Sequence, residues 1–342
     1  MTKTHEGYFF EDYRVGQVVR HAVPRTVGAG ERALYHALYP ARHALYSSDS
    51  FAQACGLSAA PLDDLIAFHT VFGKTVPDIS LNARANLGYA EGRWLAPVWP
   101  GDTLTASSEV IGLKQNSNAQ TGVVWVRTTG RNQRDEAVLS YVRWVMVRKR
   151  NPEAAAPEPV VPELSDAVDP RDLVVPAGLD FGSYDFDLAG EPHRLGDYAV
   201  GETIDHVDGV TVEEAEHMMA TRLWQNTAKV HFDATQREDG RRLIYGGHVI
   251  SMARALSFNG LANAQMIVGL NGGAHASPCF AGDTIRAWSE VLDRAETGAP
   301  GVGAIRLRLV ATKERGGGLR GADGKYLPHV LLDLDYWALM PI

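Results

Sequence analysis

The chain of 342 residues contains one type of domain twice. The segment Asp12-Tyr13-Arg14-Val15-Gly16 returns as Asp197-Tyr198-Ala199-Val200-Gly201, 185 positions later. Further along, Pro97–Leu104 is matched by Pro278–Ile285 at a separation of 181 positions. A repeat of this length predicts two structural units of similar architecture. Positions at which the two copies differ then indicate which copy has kept chemically useful residues.

The boundary between the copies is predicted from composition. Residues 150–162 are rich in Pro and Ala and poor in large apolar side chains, which is typical of an extended linker. We therefore predict an N-terminal domain at residues 1–150, a linker at 151–187 and a C-terminal domain at 188–342.

Composition also excludes several classes of protein. The sequence has no apolar run of membrane-spanning length, and Met1–Glu6 lacks the order of a signal peptide, so we expect a cytoplasmic protein without a membrane partner. The net charge of −8 disfavours a nucleic-acid partner. Cys55 and Cys279 occupy non-equivalent positions of the two copies, so we expect two small buried side chains and neither a disulfide framework nor a metal site.

Each copy shows helical stretches followed by strands, which predicts an α+β fold. The apolar pattern of 249–258 predicts a helix that stops at Asn259-Gly260, and its counterpart lies at 65–73. Runs with strand character follow at 103–110, 122–128, 138–147, 284–291, 303–310 and 330–337. The glycine-rich run Gly269–Gly273 lacks the context of a dinucleotide fingerprint and is predicted to be a bend before a strand.

This order of helices, Pro100–Leu104 turn and antiparallel strands resembles the hot-dog fold, here duplicated as a double hot-dog. A second resemblance concerns chemistry. The MaoC-like, (R)-specific enoyl-CoA hydratases carry the motif Asp-x-Asn-Pro-aliphatic-His, followed shortly by Ile-x-His-Gly at the start of a helix. This chain has Asn226-Thr227-Ala228-Lys229-Val230-His231 and then Ile244-Tyr245-Gly246-Gly247-His248. The resemblance implies that His231 is the catalytic histidine and that Gly247 donates to the substrate oxyanion.

Within this family the sequence is most similar to the hydratases that interconvert mesaconyl-CoA and β-methylmalyl-CoA. The similarity covers nearly the whole chain, including Tyr8–Tyr13 and Gln225–His231. It implies an acyl-CoA substrate that carries a second carboxylate.

Two departures from the family motif affect the mechanism. Asn226 stands where the family has an Asp general base, and an amide cannot take up a proton at neutral pH. The family Asn-Pro is also replaced, by Ala228-Lys229. In the first copy the motif reads Ala41-Arg42-His43-Ala44-Leu45-Tyr46, with Tyr46 at the position of the catalytic histidine, and Leu65-Ile66 stand opposite the glycines. We therefore expect the second copy to be catalytic and the first copy to shape the substrate pocket.

Adding water to an unsaturated thioester requires a group that activates water, a proton source and donors for the thioester oxygen, but no redox cofactor or metal. His231 can exchange a proton near neutral pH, and Asn226 would orient the water or His231. Backbone N–H groups at a helix start suit the thioester oxygen, so Gly247 is the first candidate, followed by Gly246 and His248. A structural role for these glycines, permitting only a tight helix start, is the alternative. Tyr245 is predicted to contact the substrate.

Arginine and lysine are the residue types that pair with carboxylate and phosphate groups. Arg42, Arg222 and Lys229 are the predicted partners for the carboxylate and phosphates of the substrate, although a surface role is the alternative for each. Four carboxylates could replace the missing base, each with a capping or solvated role as the alternative. They are Asp49, Asp63, Asp64 and Asp233.

Two other functions stay open at this point. The hot-dog scaffold also carries acyl-CoA thioesterases, and the missing Asp would also fit an acyl-CoA-binding protein without activity. Because hot-dog sheets have open edges, we expect a homodimer of the double unit.

Overall fold

The computed structural model describes residues 3–342. Its strands are β1 (Val18–Arg20), β2 (Arg25–Thr26), β3 (Ala83–Trp94), β4 (Thr103–Gln115), β5 (Thr121–Arg131), β6 (Ala137–Arg148), β7 (Thr203–Thr211), β8 (Ile267–His275), β9 (Thr284–Glu296), β10 (Val302–Thr312) and β11 (Val330–Pro341). Its helices are α1 (Ala29–Leu38), α2 (Ala44–Ser47), α3 (Asp49–Ala54), α4 (Asp64–Thr75), α5 (Phe186–Ala189), α6 (Glu214–Leu223), α7 (Lys229–Phe232), α8 (Gly246–Leu256) and α9 (Phe258–Leu261). The predicted α+β class is confirmed.

The strands form one antiparallel sheet in the order β1-β4-β5-β6-β3-β8-β11-β10-β9-β7, with β2 paired to β4. Strands β1–β6 belong to the first copy and β7–β11 to the second, so the copies meet where β3 pairs with β8. At this joint Tyr89 lies opposite Gly273 and Gly92 opposite Leu270. The sheet therefore runs through both copies.

The prediction for Gly269–Gly273 is wrong, because these residues lie within β8 and not in a bend before it. A Cβ atom on Gly273 would lie 2.9 Å from a ring carbon of Tyr89, and one on Gly269 would lie 3.1 Å from the ring of Trp337. The glycines thus let large side chains from neighbouring strands pack closely against β8.

The duplication extends to the element boundaries. Helix α1 begins at Ala29 and α6 begins at Glu214, which are the same 185 positions apart as the sequence repeats, and both helices span ten residues. Strands β4 and β9 begin at Thr103 and Thr284, 181 positions apart, and both span thirteen residues. Equivalent positions in the two copies can therefore be compared residue by residue.

One buried helix lies at the centre of each copy. All of α4 is buried, and α8 is buried from Gly247 to Leu256. The two helices contact each other, since Nε2 of His69 lies 2.7 Å from Oγ of Ser251. The predicted helix stop is confirmed: Asn259 and Gly260 leave the helical conformation, and Gly260 has a φ of +97°, which glycine adopts readily.

The segment between the copies follows the outside of the sheet. Val160 forms an isolated bridge with Leu113, and the backbone N–H of Val168 donates to Oδ1 of Asn271 at 2.8 Å. The proposed domain limits stay a prediction.

Cys55 and Cys279 are free and buried, as expected. Between residues 3 and 342, no helix has the length and apolar character needed to cross a membrane.

Candidate active site

A cavity of about 270 Å³ lies between the two copies. On the first-copy side its wall comes from β3, β6, Phe72 of α4 and the helical turn Val76–Ser80 that follows α4. On the second-copy side it comes from the Asn226–His231 segment, the start of α8 and residues 275–279. Neither copy encloses this space alone, so both contribute to whatever it binds.

His231 lies on the short helix α7 and lines this cavity. Its Nδ1 lies 2.7 Å from the carbonyl oxygen of Leu243, an atom that can only accept, so Nδ1 carries the proton. Nε2 is then the unprotonated nitrogen, which is the form a general base requires. Burial lowers the pKa of His231, although the hydrogen bond to Leu243 opposes that shift. The ring is therefore neutral at neutral pH.

Asn226 is buried and also lines the cavity. Its Oδ1 accepts a hydrogen bond from the backbone N–H of Ala228 at 3.2 Å, which shapes the turn before α7. The sequence predicted that Asn226 orients water or His231. The geometry places the residue where the first role is available and shows a structural role beside it.

The start of α8 forms the adjoining wall. Tyr245 and Gly246 line the cavity, and the backbone N–H of Tyr245 donates to Nε2 of His217 at 2.9 Å. The N–H groups of a first helical turn have no intrahelical acceptor and lie at the positive end of the helix dipole. Gly247 and His248 lie one step further along the buried helix and are not part of the wall.

The two glycines are also required by packing. A Cβ atom on Gly246 would lie 2.4 Å from the ring of His275, and one on Gly247 would lie 2.3 Å from the ring of Tyr245. The structure thus supports the alternative of a tight helix start. The backbone N–H groups of Gly246 and Gly247 have no acceptor among the described residues, whereas the N–H of His248 donates to the carbonyl oxygen of Tyr245 at 2.9 Å.

His275 also lines the cavity, although no sequence motif predicted it. It ends β8, its Nε2 lies 3.1 Å from the hydroxyl of Tyr89, and burial lowers its pKa to about 4. No motif surrounds it, but comparison of the copies carries a signal. Trp94, 181 positions earlier, occupies the equivalent strand end in the first copy.

His248 was predicted to offer its backbone N–H to the substrate, but it does not line the cavity and that N–H donates to the carbonyl oxygen of Tyr245. Its Nδ1 lies 3.2 Å from the hydroxyl of Tyr39 in the first copy. The ring centroids of His217 and His248 are 6.0 Å apart, and burial lowers their pKa values to about 3 and about 4. These neutral rings support α8 and α7 from inside.

The three predicted cations do not line the cavity. Arg222 lies on a separate surface depression with Met218, Arg42 is exposed and packs over Phe258 at 4.5 Å, and Lys229 is exposed. The cations on the wall are instead Arg84 and Arg143. Strands β3 and β6 bring them there, and no sequence motif marks either residue.

None of the four candidate carboxylates lines the cavity, and each has a structural partner. Each carboxylate accepts a hydrogen bond from a backbone N–H group. The donors are Ala60 for Asp49 at 2.9 Å, Leu65 for Asp63 at 2.9 Å, Ile267 for Asp64 at 2.7 Å and Thr235 for Asp233 at 3.0 Å. Along residues 3–342, no Asp or Glu of any kind contributes to the cavity wall, and no cluster of His, Cys, Asp and Glu could hold a metal ion.

The equivalent site in the first copy is filled. Tyr46 occupies the position 185 residues before His231, is buried, and hydrogen-bonds through its hydroxyl to Asp64 at the start of α4. In the first copy a buried, hydrogen-bonded tyrosine therefore stands where the second copy has its histidine.

Comparison with known proteins identifies relatives over the whole chain. Residues 1–318 match the family model described as mesaconyl-CoA hydratase. A mesaconyl-CoA hydratase of Cereibacter sphaeroides is 76% identical over 341 residues, covering 99% of each chain. A β-methylmalyl-CoA dehydratase of Chloroflexus aurantiacus is 59% identical over 346 residues, covering 99% of this chain and 98% of the relative.

Solved structures agree on the fold. A MaoC domain protein dehydratase from Chloroflexus aurantiacus superposes with a TM-score of 0.97 at 57% identity and covers 100% of this chain and 99% of its own. A Mycobacterium tuberculosis protein with a double hotdog fold superposes with a TM-score of 0.76 at 24% identity, covering 98% of both chains. The predicted double hot-dog is confirmed, and the chain belongs to the mesaconyl-CoA hydratase family of hydro-lyases.

Proposed function

We propose that this protein catalyses the reversible addition of water to mesaconyl-CoA, giving β-methylmalyl-CoA. One observation carries the proposal: His231, whose Nε2 is the unprotonated nitrogen, lines a cavity whose adjoining wall is a helix N-terminus. The names of the two curated relatives, which together describe both directions of this reaction, support the choice of substrate.

The proposed chemistry follows from these two groups. Nε2 of His231 takes a proton from water while the water oxygen bonds to the β carbon. The electron pair of the double bond moves toward the thioester, and the N–H groups at the start of α8 stabilise the resulting oxyanion. The imidazolium then returns its proton to the α carbon. The reverse sequence removes water.

The same histidine carries both proton transfers in this scheme, because no carboxylate among the described residues lines the cavity. Asn226 then acts on the water through its amide, holding it between Nε2 and the β carbon, since an amide cannot act as the base. No step requires a redox cofactor or a metal.

The absence of a lining carboxylate from the described part of the chain also disfavours a thioesterase, which commonly uses one as base or nucleophile. An acyl-CoA-binding protein without activity is disfavoured by the contrast with the first copy. There the histidine is replaced by Tyr46 and its hydrogen bond to Asp64, whereas the second copy keeps an open site.

The test follows the ultraviolet absorbance of the conjugated thioester after mesaconyl-CoA is mixed with the purified protein, while a thiol reagent monitors free CoA. We expect absorbance to fall without CoA release, and His231→Ala to slow the loss by roughly 100-fold or more. His329→Ala is the matched control, because this histidine lies away from the cavity. CoA release would indicate a thioesterase, and tight binding without absorbance loss would indicate a binding protein.

We further propose that the protein is a cytoplasmic homodimer. The strands β1 and β7 are the two ends of the long sheet and offer open edges or adjoining faces for a second copy. Sedimentation that shows only monomer at micromolar concentration would remove this part of the proposal.

A further inference from the structure

The first-copy side of the cavity contains a buried cation. Arg143 on β6 has 0% of its surface exposed and lines the cavity. Its Nη2 donates to Oγ1 of Thr75 at 2.7 Å, and its guanidinium lies 4.4 Å from the ring centroid of Phe72. Its Nε and Nη1 have no hydrogen-bond partner in residues 3–342, and no carboxylate in that range forms an ion pair with it.

A buried guanidinium without a carboxylate partner destabilises the free protein. A buried charge is ordinarily paired and fully hydrogen-bonded, because removing it from water without such partners is strongly unfavourable. The two unused nitrogens of Arg143 therefore indicate an anionic ligand that enters the cavity.

Two further groups on the same wall are unsatisfied. Both amide atoms of Asn86 and the hydroxyl of Ser80 are buried without a partner among the residues described. The pairing of β3 with β6 places Asn86 opposite Val145 and Tyr89 opposite Arg143, so these side chains share one region of the sheet. A guanidinium, an amide and a hydroxyl can together donate to both oxygens of a carboxylate.

We infer that Arg143, with Asn86 and Ser80, binds the free carboxylate of a dicarboxylic acyl-CoA. The inference rests on the proposed function for the orientation of the ligand, whose thioester lies at the start of α8. The cavity reaches both Arg143 and His231, so the recognised carboxylate and the reacting double bond share one cavity.

The second copy supports this division of labour. Trp144 and Trp337 occupy the same place in strands β6 and β11, which both span twelve residues, so Tyr336 corresponds to Arg143. The copy that has lost the histidine carries the buried arginine that lines the cavity. Each copy thus supplies a different end of the substrate site.

The test measures binding of two saturated thioesters that cannot be hydrated. Methylsuccinyl-CoA carries the free carboxylate, whereas 2-methylbutyryl-CoA has a methyl group in its place. We expect calorimetry on the whole protein to show a preference for the dicarboxylic ligand on the order of 100-fold. Arg143→Met should abolish this preference and leave the affinity for 2-methylbutyryl-CoA unchanged.

Two further variants keep the test decisive. Asn86→Asp places a carboxylate beside Arg143, so it should also weaken methylsuccinyl-CoA binding selectively. Arg84→Met removes the exposed cation of the same cavity and should affect both ligands equally. Met replaces an unpaired buried charge with an apolar chain of similar length, so we expect Arg143→Met to fold.

The outcomes separate this inference from the proposed reaction. An unchanged preference in Arg143→Met, no preference in the wild type, or loss of preference only in Arg84→Met would each overturn the inference. If mesaconyl-CoA is not hydrated but the preference depends on Arg143, the hydratase proposal falls and the carboxylate site stands.

Discussion

The hydroxyl of Tyr89 and Nε2 of His275 lie 3.1 Å apart across the joint between the two copies. Tyr89 belongs to β3 of the first copy, and His275 ends β8 of the second. The ring of His275 lies so close to Gly246 that no side chain fits there. The first copy therefore fixes a ring against the helix start that we propose binds the thioester oxygen.

Replacing Tyr89 by Phe tests this connection. We expect kcat for mesaconyl-CoA to fall roughly fivefold, because losing one hydrogen bond costs about 1 kcal/mol and frees His275 to move. Steady-state kinetics would measure the change. Tyr326→Phe removes a hydroxyl that bonds Asp333 away from the cavity and should leave kcat unaltered. Equal kcat in Tyr89→Phe and the wild type would contradict the proposed connection.

Substituting Gly246 by Ala tests the packing at the start of α8. The added methyl group would collide with His275, which should lower the free energy of unfolding by about 1–3 kcal/mol and reduce kcat. Urea unfolding and kinetics would measure both effects. At Gly272 of β8 a Cβ atom would meet nothing within 4 Å among the described atoms, so Gly272→Ala is the control. Full activity of Gly246→Ala would show that the close fit is not needed.

The pH dependence of kcat/KM tests the role of His231. Burial holds its pKa below the ordinary value of 6.5, and the base form is needed for hydration. We therefore expect kcat/KM to be constant around neutral pH and to fall on the acid side, with an inflection below about 6.5. His275, with a pKa of about 4, stays neutral over this range. An acid inflection above the ordinary histidine value would argue against His231 as the base.

Replacing Asp64 by Asn tests the carboxylate alternative. Asp64 lies outside the cavity wall, so the variant should keep its activity. Burial raises the pKa of Asp64 from 3.8 to about 8, so the wild-type carboxyl stabilises the fold when protonated and that contribution is lost as pH rises toward 8. As pH rises from 3.8 to about 8, the wild type should lose stability that Asp64→Asn keeps. The urea midpoint of the variant should therefore exceed that of the wild type by an amount that grows with pH. Loss of activity with intact folding would revive Asp64 as the base.

The sequence repeat predicted the duplicated α+β architecture because element boundaries recur at fixed separations. The prediction made from local composition failed at Gly269–Gly273, where the need for glycine comes from side chains on other strands, among them Tyr89 and Trp337. Local composition cannot show such a neighbour. Strand pairing across the copies depends on contacts far apart in the chain.

The candidate site was partly predictable. Asn226, His231, Tyr245 and Gly246 were selected from one motif and line one cavity. His275 and Arg143 were missed because the sheet joint brings them to the cavity and neither belongs to a motif. Their partners in the other copy, Trp94 and Tyr336, were the available signal.

Covalent fusion of the copies has a consequence for how such a protein can change. In a symmetric dimer of identical units, every substitution in a pocket wall appears twice and also alters the catalytic unit. Here Tyr46 and Arg143 lie in one half and His231 in the other. With the proposed carboxylate site in one half and the proposed base in the other, substitutions can change which acid is accepted without altering proton transfer, and two folded units then contain one catalytic site.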